Sequence, residues 1–179
     1  RLIFHPPVLA VGIGCERGTE SGEIIELITN VLDEAGLTVN SVSCVVSVDL
    51  KANEEAIHLA AQYLGVSARF FSPNILEAET PRLKNPSEVV FGEVGCHGVA
   101  EGAALAAVGL AGDLIVTKRK SKRATCAIGR AQTPLVINDI GAKRGRLTIV
   151  GVGPGADRWR TPAVTRALVS ADEVVGYKL

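Results

Sequence analysis

The sequence predicts an α/β fold: a mixed, mainly parallel sheet with helices on both faces. Three observations point there. Residues 8–13 and 42–48 are short, almost wholly apolar runs, as strands covered on both faces require. Each gives way to glycine or charged residues and then to apolar residues at helical spacing, the alternation that builds strand–helix–strand units. Glycine and proline punctuate the chain where such elements would turn.

The 179 residues are enough for one domain, or one domain plus a fragment, and 47% apolar with 21% charged residues describes a soluble globular protein. Zero formal net charge argues against a dedicated nucleic-acid binder. No apolar run approaches the ~20 residues of a membrane span, and the first residues lack the apolar stretch and cleavage site of a signal peptide. Cys15, Cys44, Cys96 and Cys126 are scattered, with no C-x-x-C pair. That spacing excludes a zinc ribbon or dithiol motif, leaves no metal site written in the chain, and fits reduced thiols in a cytoplasmic protein.

Taken in order, Pro6-Pro7 leads into a strand at 8–13, which breaks at Gly12-Ile13-Gly14-Cys15-Glu16-Arg17-Gly18. A helix over 21–35 follows, with Ile24, Leu27, Ile28, Val31 and Leu32 on one face and Gly36 ending it. The second strand, 42–48, runs into Asp49-Leu50-Lys51, and Asn53 is the expected N-cap of a helix closed by Gly65. Phe70-Phe71 is a third strand, with a short helix at 74–79 and a proline-bearing loop at 80–87. Residues 88–93 read either as a strand or as a helical turn capped by Ser87. The Gly/Ala-rich stretch 97–108 reads as a helix packed close to the sheet. Residues 114–117 and 124–128 form a hairpin around the basic loop 118–123. Residues 131–145 have linker composition, and 146–176 spell a β–loop–α–β opening that stops short, as if cut from something longer.

In open α/β sheets ligands collect where strands end, because backbone N–H groups at the following turn are free to meet anions. Glu16-Arg17, Asp49 with Lys51, and Thr117-Lys118 all fall at such ends. Pooled on one rim they would make a cleft for an acidic, multiply charged ligand, with Arg17, Lys51, Lys118 and Lys120 as anion partners. Taken singly, each is equally explained as a solvated cap or a helix-dipole partner. Within the cleft, Glu101 or Asp49 would serve as general base or simply fix a lysine. Glu101 stands on a helix of small apolar residues, so it is either buried with a raised pKa or turned to solvent at no cost. The basic run 118–123 suits a solvated hairpin tip or a small polyanion better than nucleic acid, since no aromatic residue lies near it. Cys96-His97 resembles half of a catalytic pair, but adjacent side chains rarely face one another, and His97 reads as part of a helix N-terminus.

The residues Gly12-Ile13-Gly14-Cys15-Glu16-Arg17-Gly18, Val48-Asp49-Leu50-Lys51, Phe71-Ser72, Pro86-Ser87-Glu88-Val89, Val99-Ala100-Glu101-Gly102-Ala103 and Lys118 to Thr125 resemble, in that order, the CobE family of cobalamin biosynthesis. The family is similar to the C-terminal domain of cobalt-precorrin-5A hydrolase (CbiG). The resemblance spans about 8–130 and implies a carboxylated corrin precursor as ligand, held by Gly14, Cys15, Arg17, Lys51, Ser87, Lys118 and Lys120. Glu16 stands where an Arg is frequent, and Cys96-His97 where smaller residues are common.

Residues 146–179 resemble the N-terminus of a tetrapyrrole methylase, most closely precorrin-3B C(17)-methyltransferase, through Gly151-Val152-Gly153-Pro154-Gly155 and Val175-Gly176-Tyr177. The implied order is a CobE-like domain at 1–130, a linker at 131–145 and a methylase fragment at 146–179. The implied parent is an S-adenosylmethionine-dependent methylase fusion. The fragment itself would need no cofactor, and the rest of the cofactor pocket is missing from it. Three functions remain open at this point. One is a module that binds the precursor and passes it to the fused methylase. Another is a hydrolase-type enzyme opening a ring-A lactone, and the third is a non-catalytic interaction domain. Self-association as a homodimer is left open as well.

Overall fold

The computed structural model describes residues 4–145, 147–153, 159–171 and 173–176. The chain divides into two compact units, Arg1–Arg144 and Gly145–Leu179.

The first unit is built on a five-stranded sheet. Strands β1 (Leu9–Cys15), β2 (Val42–Val48) and β3 (Ser67–Phe71) run parallel to one another. Strands β4 (Asp113–Lys120) and β5 (Ala124–Arg130) form an antiparallel hairpin, and β5 lies antiparallel to β1. The order is β3-β2-β1-β5-β4. Two of the four pairings are therefore parallel and two antiparallel, which corrects the expectation of a mainly parallel sheet. The hairpin itself is expected from sequence; the balance shifts because β5 rather than β4, which runs the same way as β1, is the strand that pairs with β1. Because β1 and β4 are each antiparallel to β5, the two run the same way, and the carboxyl ends of β1, β2 and β4 meet one edge of the sheet.

Helices cover both faces. On one, α1 (Ser21–Glu34) and α2 (Glu55–Tyr63) bury Ile24, Leu27, Ile28, Val31, Ile57 and Ala60 against Leu9, Val11, Ile13, Val45 and Ile128. Each large aliphatic side chain so buried contributes roughly 1.5–3 kcal/mol. On the other face lie α3 (Pro73–Ala78) and α5 (Val99–Val108), whose Leu76, Ala103, Ala107 and Val108 pack on Ala10, Cys44, Val46 and Val48. The small residues of α5 let its backbone descend onto the sheet. A Cβ built on Gly12 would come within 1.9 Å of the Ala100 carbonyl oxygen, so the contact requires glycine. Helix α4 (Glu88–Val94) buries no side chain, and Ser87 caps it by accepting from Val90 N. The helical alternative at 88–93 is the one the fold adopts.

Several local expectations shift. The N-cap of α2 is Glu54, and Asn53 lies outside the helix, exposed. Lys118, Arg119 and Lys120 belong to β4 itself, so the loop is shorter than its run of cations suggests. The segment 131–144 is not a free linker. Ala131 and Ile140 are buried, Ala142 pairs with Phe70 through two backbone bonds, and buried Arg69 donates to the Ile140 and Gly141 carbonyls at 2.6 and 2.9 Å. This segment covers the open edge of β3, whose backbone groups would otherwise lack partners.

In the second unit the described residues form α6 (Pro162–Val169), capped by the Thr161 hydroxyl accepting from Val164 N. The strands expected at 146–151 and 173–176 do not form among the described residues, and Leu147 and Ile149 are about nine-tenths exposed, at 89% and 90%. A strand is held by its ladder, and among the described residues these segments pair with no strand. Gly151 and Gly153 are exposed, while Pro154 and Gly155 lie outside the described residues. Among the described residues no helix is long and apolar enough to cross a membrane.

Candidate functional site

The common edge of β1, β2 and β4 opens into a cavity of about 600 Å³. It lies where the chain leaves β1 for one side of the sheet and later returns on the other, the position at which open α/β sheets hold ligands. Gly14, Cys15, Arg17, Lys51, Ser87, Lys118 and Lys120 all line it. They come from four separate stretches of chain, each at or near the end of a strand or the cap of a helix. Asp49 and Glu101 do not line it.

Six cations surround the opening: Arg17, Lys51, Lys118, Lys120, Lys122 and Arg123. Some are already engaged. Arg123 Nε donates to Glu16 Oε2 at 3.0 Å, and its other nitrogens donate to the Gly18 and Arg17 carbonyls. Lys51 stands 3.9 Å from Glu54, whose other oxygen accepts from Gly18 N. Lys118 Nζ donates to the Asn85 carbonyl at 2.8 Å, which leaves two of its three N–H groups to spare. Arg17, Lys120 and Lys122 have no ion pair among the described residues. Burial, and then the neighbouring Lys120, hold the Lys118 ammonium below the ordinary lysine pKa, against an upward pull from Glu101. Between the cations the walls are mixed: Leu50, Val90, Val94 and Val99 supply apolar surface, and Glu16, Ser87, Glu93 and Thr125 polar groups.

The turn that carries Arg17 is tied to the hairpin tip. Glu16 N donates to the Arg123 carbonyl at 2.9 Å, and buried Thr19 donates its hydroxyl to the Glu16 carbonyl at 2.8 Å. Glu23, from the first turn of α1, accepts from the Ser121 hydroxyl and from Arg123 N. Thr125 donates to the Gly14 carbonyl at 3.2 Å. Two walls of the cleft are thus one hydrogen-bonded unit.

Glu101 is 1% exposed, which settles the solvent-face alternative against it. Its Oε2 accepts from Lys84 N and Asn85 N at 2.8 and 2.9 Å, and its Oε1 from Asn85 Nδ2 and Lys118 N at 2.7 and 2.8 Å. Burial pushes its pKa up, but the Lys118 amide, the Asn85 side chain and the Asn85 and Lys84 amides together outweigh it, and the net direction is down. A raised pKa was the expectation for a buried acid on this helix. It fails because the polar partners come from other segments of the chain. Asp49 is exposed at the start of a short helical turn after β2 and lies off the cavity wall.

Cys15 is half-buried in the wall, and burial above all pushes its thiol up to about 11, so it stands neutral at ordinary pH. Cys96 and His97 form no catalytic pair. Cys96 is buried, while the His97 ring stacks on Phe91 and contacts Glu77 at 3.0 Å and Glu88 at 3.5 Å. Among the described residues no three His, Cys, Asp or Glu side chains are grouped as a metal ion would need.

The cavity also contains residues that the sequence did not single out. Glu93, Val90 and Val94 fall on one side of α4, at the i, i+3, i+4 spacing that follows once 88–94 is read as a helix. Leu50 sits between Asp49 and Lys51 in a segment already marked by its position after β2. Arg123 was visible as a charge, but its tie to Glu16 spans 107 residues and left no local trace.

Comparison with known proteins gives a consistent result. The family described as "Cobalamin synthesis G C-terminus" matches residues 9–129. Protein CobE of Sinorhizobium sp is 47% identical over 125 residues, covering 70% of this chain and 81% of that protein. Cobalt-precorrin-5A hydrolase of Priestia megaterium is 34% identical over 127 residues, covering 71% of this chain but 33% of the hydrolase. The crystal structure of CobE, a protein from the cobalamin (vitamin B12) biosynthetic pathway, superposes with a TM-score of 0.64 at 35% identity, covering 70% of this chain and 92% of that one.

Proposed function

The chain belongs to the cobalamin synthesis G C-terminus family, with a role in cobalamin biosynthesis, and on that premise we propose that its cleft binds a carboxylated corrin precursor. The observation that carries the reading is the distribution of charge. Cations from the ends of β1, β2 and β4 and the turn after β4 ring a cavity whose walls also carry the apolar side chains Leu50, Val90, Val94 and Val99. A corrin precursor is a flat, largely apolar ring with carboxylate arms around its rim, so ring and arms each meet the surface they require. Ligand holding, rather than bond breaking, is the chemistry these side chains supply. The acid of α5 is saturated with donors, and the thiol in the wall is neutral.

A lactone-opening hydrolase is the second reading, favoured by the likeness to cobalt-precorrin-5A hydrolase. Its water-activating group would be Glu93, which lines the cavity and has no ion pair among the described residues. The fusion to an S-adenosylmethionine-dependent precorrin-3B C(17)-methyltransferase rests on the residue pattern of 146–179 alone. The described residues there form one helix, α6.

Titration with a porphyrin octacarboxylate, followed by visible absorbance, tests the binding reading. Saturable binding that weakens as salt is raised is expected. An Arg17→Ala, Lys118→Ala double variant should lose roughly 100-fold in affinity, at about 1.5 kcal/mol per charged hydrogen bond. Undiminished binding in that variant removes the cleft. Lactone opening of cobalt-precorrin-5A, abolished by Glu93→Gln, would favour the hydrolase.

A further inference from the structure

Glu101 is the most deeply buried acid described in the first unit, yet it touches no cavity surface. Its four bonds reach three places: the loop amides of Lys84 and Asn85, the Asn85 side chain, and the backbone of Lys118 on β4. The loop it gathers then offers the Asn85 carbonyl to Lys118 Nζ. One carboxylate therefore holds both ends of the same lysine, its main chain directly and its ammonium through the loop. Resting on the reading of the cleft as an anion site, we infer that Glu101 is a positioning residue that aims Lys118 into the cleft and keeps its ammonium there.

The chemistry of the four partners explains why an acid is needed. All are donors, and an ionised carboxylate is the side chain that accepts on both oxygens. An amide in its place would turn its NH₂ toward two N–H groups. The negative charge acts on the lysine too. The charged groups bearing on Lys118 are Lys120, two residues along β4, and Glu101 from α5, and they pull in opposite directions. Removing the acid leaves Lys120 unopposed and lowers the ammonium's titration further, and it also frees the loop whose carbonyl holds Nζ in place.

The test reads Lys118 with and without ligand. Lysines are dimethylated with ¹³C-formaldehyde, the Lys118 signal is assigned by its loss in Lys118→Ala, and its titration midpoint is followed by NMR. In Glu101→Gln the midpoint moves to lower pH; an unchanged midpoint overturns the inference. In parallel, porphyrin octacarboxylate affinity is measured for Glu101→Gln, Lys118→Ala and the double variant. The glutamine variant should bind about 10-fold more weakly, while the double variant matches Lys118→Ala within about 2-fold. Additive losses overturn the inference, because they mean Glu101 acts apart from the lysine. If circular dichroism shows Glu101→Gln unfolded, Asn85→Ala takes its place in the affinity cycle. A loss that vanishes in the Lys118→Ala background supports the inference, and a persistent loss, or none, overturns it. Wild-type affinity in Lys118→Ala would instead sink the cleft reading, and the ligand-free midpoint would still decide the role of Glu101.

Discussion

Gly12 of β1 and Ala100 of α5 meet so closely that a single methyl group between them has no room: a Cβ on the glycine would lie 1.9 Å from the Ala100 carbonyl oxygen and 3.0 Å from Ala104 N. Backbone faces backbone there, so no rotamer change relieves the clash. Helix α5 carries Glu101 one residue further on, and the depth at which it settles sets where that carboxylate meets Lys118.

Gly12→Ala should therefore cost about 3 kcal/mol, the upper range of overpacking penalties, and lower porphyrin affinity with it. Chemical denaturation monitored by circular dichroism reads the first effect and visible absorbance the second. Wild-type stability in this variant would show that α5 lifts off the sheet without cost.

The His97 ring between Glu77 and Glu88 makes stability depend on pH. Its hydrogen bond to Glu77 raises the imidazole pKa above its ordinary 6.5, and the same bond lowers the Glu77 carboxyl below 4.5. A raised histidine contributes stability that is complete below its unfolded pKa and lost as pH climbs through the folded one. A lowered carboxyl contributes above its unfolded pKa and loses that contribution as pH falls through the folded one. The difference in Tm between wild type and His97→Gln should be widest between the unfolded values of 4.5 and 6.5 and shrink on both sides. A difference that is flat from pH 4 to pH 9 would rule out an ionic role for the pair.

Cys15 should be slow toward thiol reagents at neutral pH despite its place in the cavity wall. With burial raising its pKa to about 11, the thiolate is scarce near pH 7, and alkylation should accelerate with pH well beyond the range of a free cysteine. Iodoacetamide labelling of Cys15, followed by peptide mass spectrometry from pH 7 to pH 11, measures this. Bound porphyrin octacarboxylate should protect the residue further. Fast labelling at pH 7 would mean that the thiol is ionised in the cleft.

Elements with local signatures could be read from the chain. The apolar run of β2 and the stripe Ile24, Leu27, Ile28, Val31, Leu32 of α1 announced themselves, because burial on both faces of a strand and on one face of a helix writes a fixed period. The hairpin was legible too, but not the partner of β5, and that pairing made the sheet half antiparallel. The expected strands at 146–151 and 173–176 carried the right residue types, yet strand formation is decided by a partner, which composition does not record.

For the site, sequence alone determined which residues stand at strand ends, because a buried apolar run must stop where polar residues begin. Gly14, Arg17 and Lys51 were marked in that way before any packing was known, while Lys118 was placed after a strand that in fact runs on through Lys120. Only the tertiary structure decided what Glu101 does. Its sequence neighbours are alanine, glycine and valine, which suggested an isolated acid. Its four actual partners lie 16 or 17 residues away and arrive by folding. The reason is physical: a side chain's contacts with its own helix repeat with the helical period and can be read along the chain. The donors that stabilise a buried charge come from whichever segments the fold brings alongside, and no periodicity encodes them.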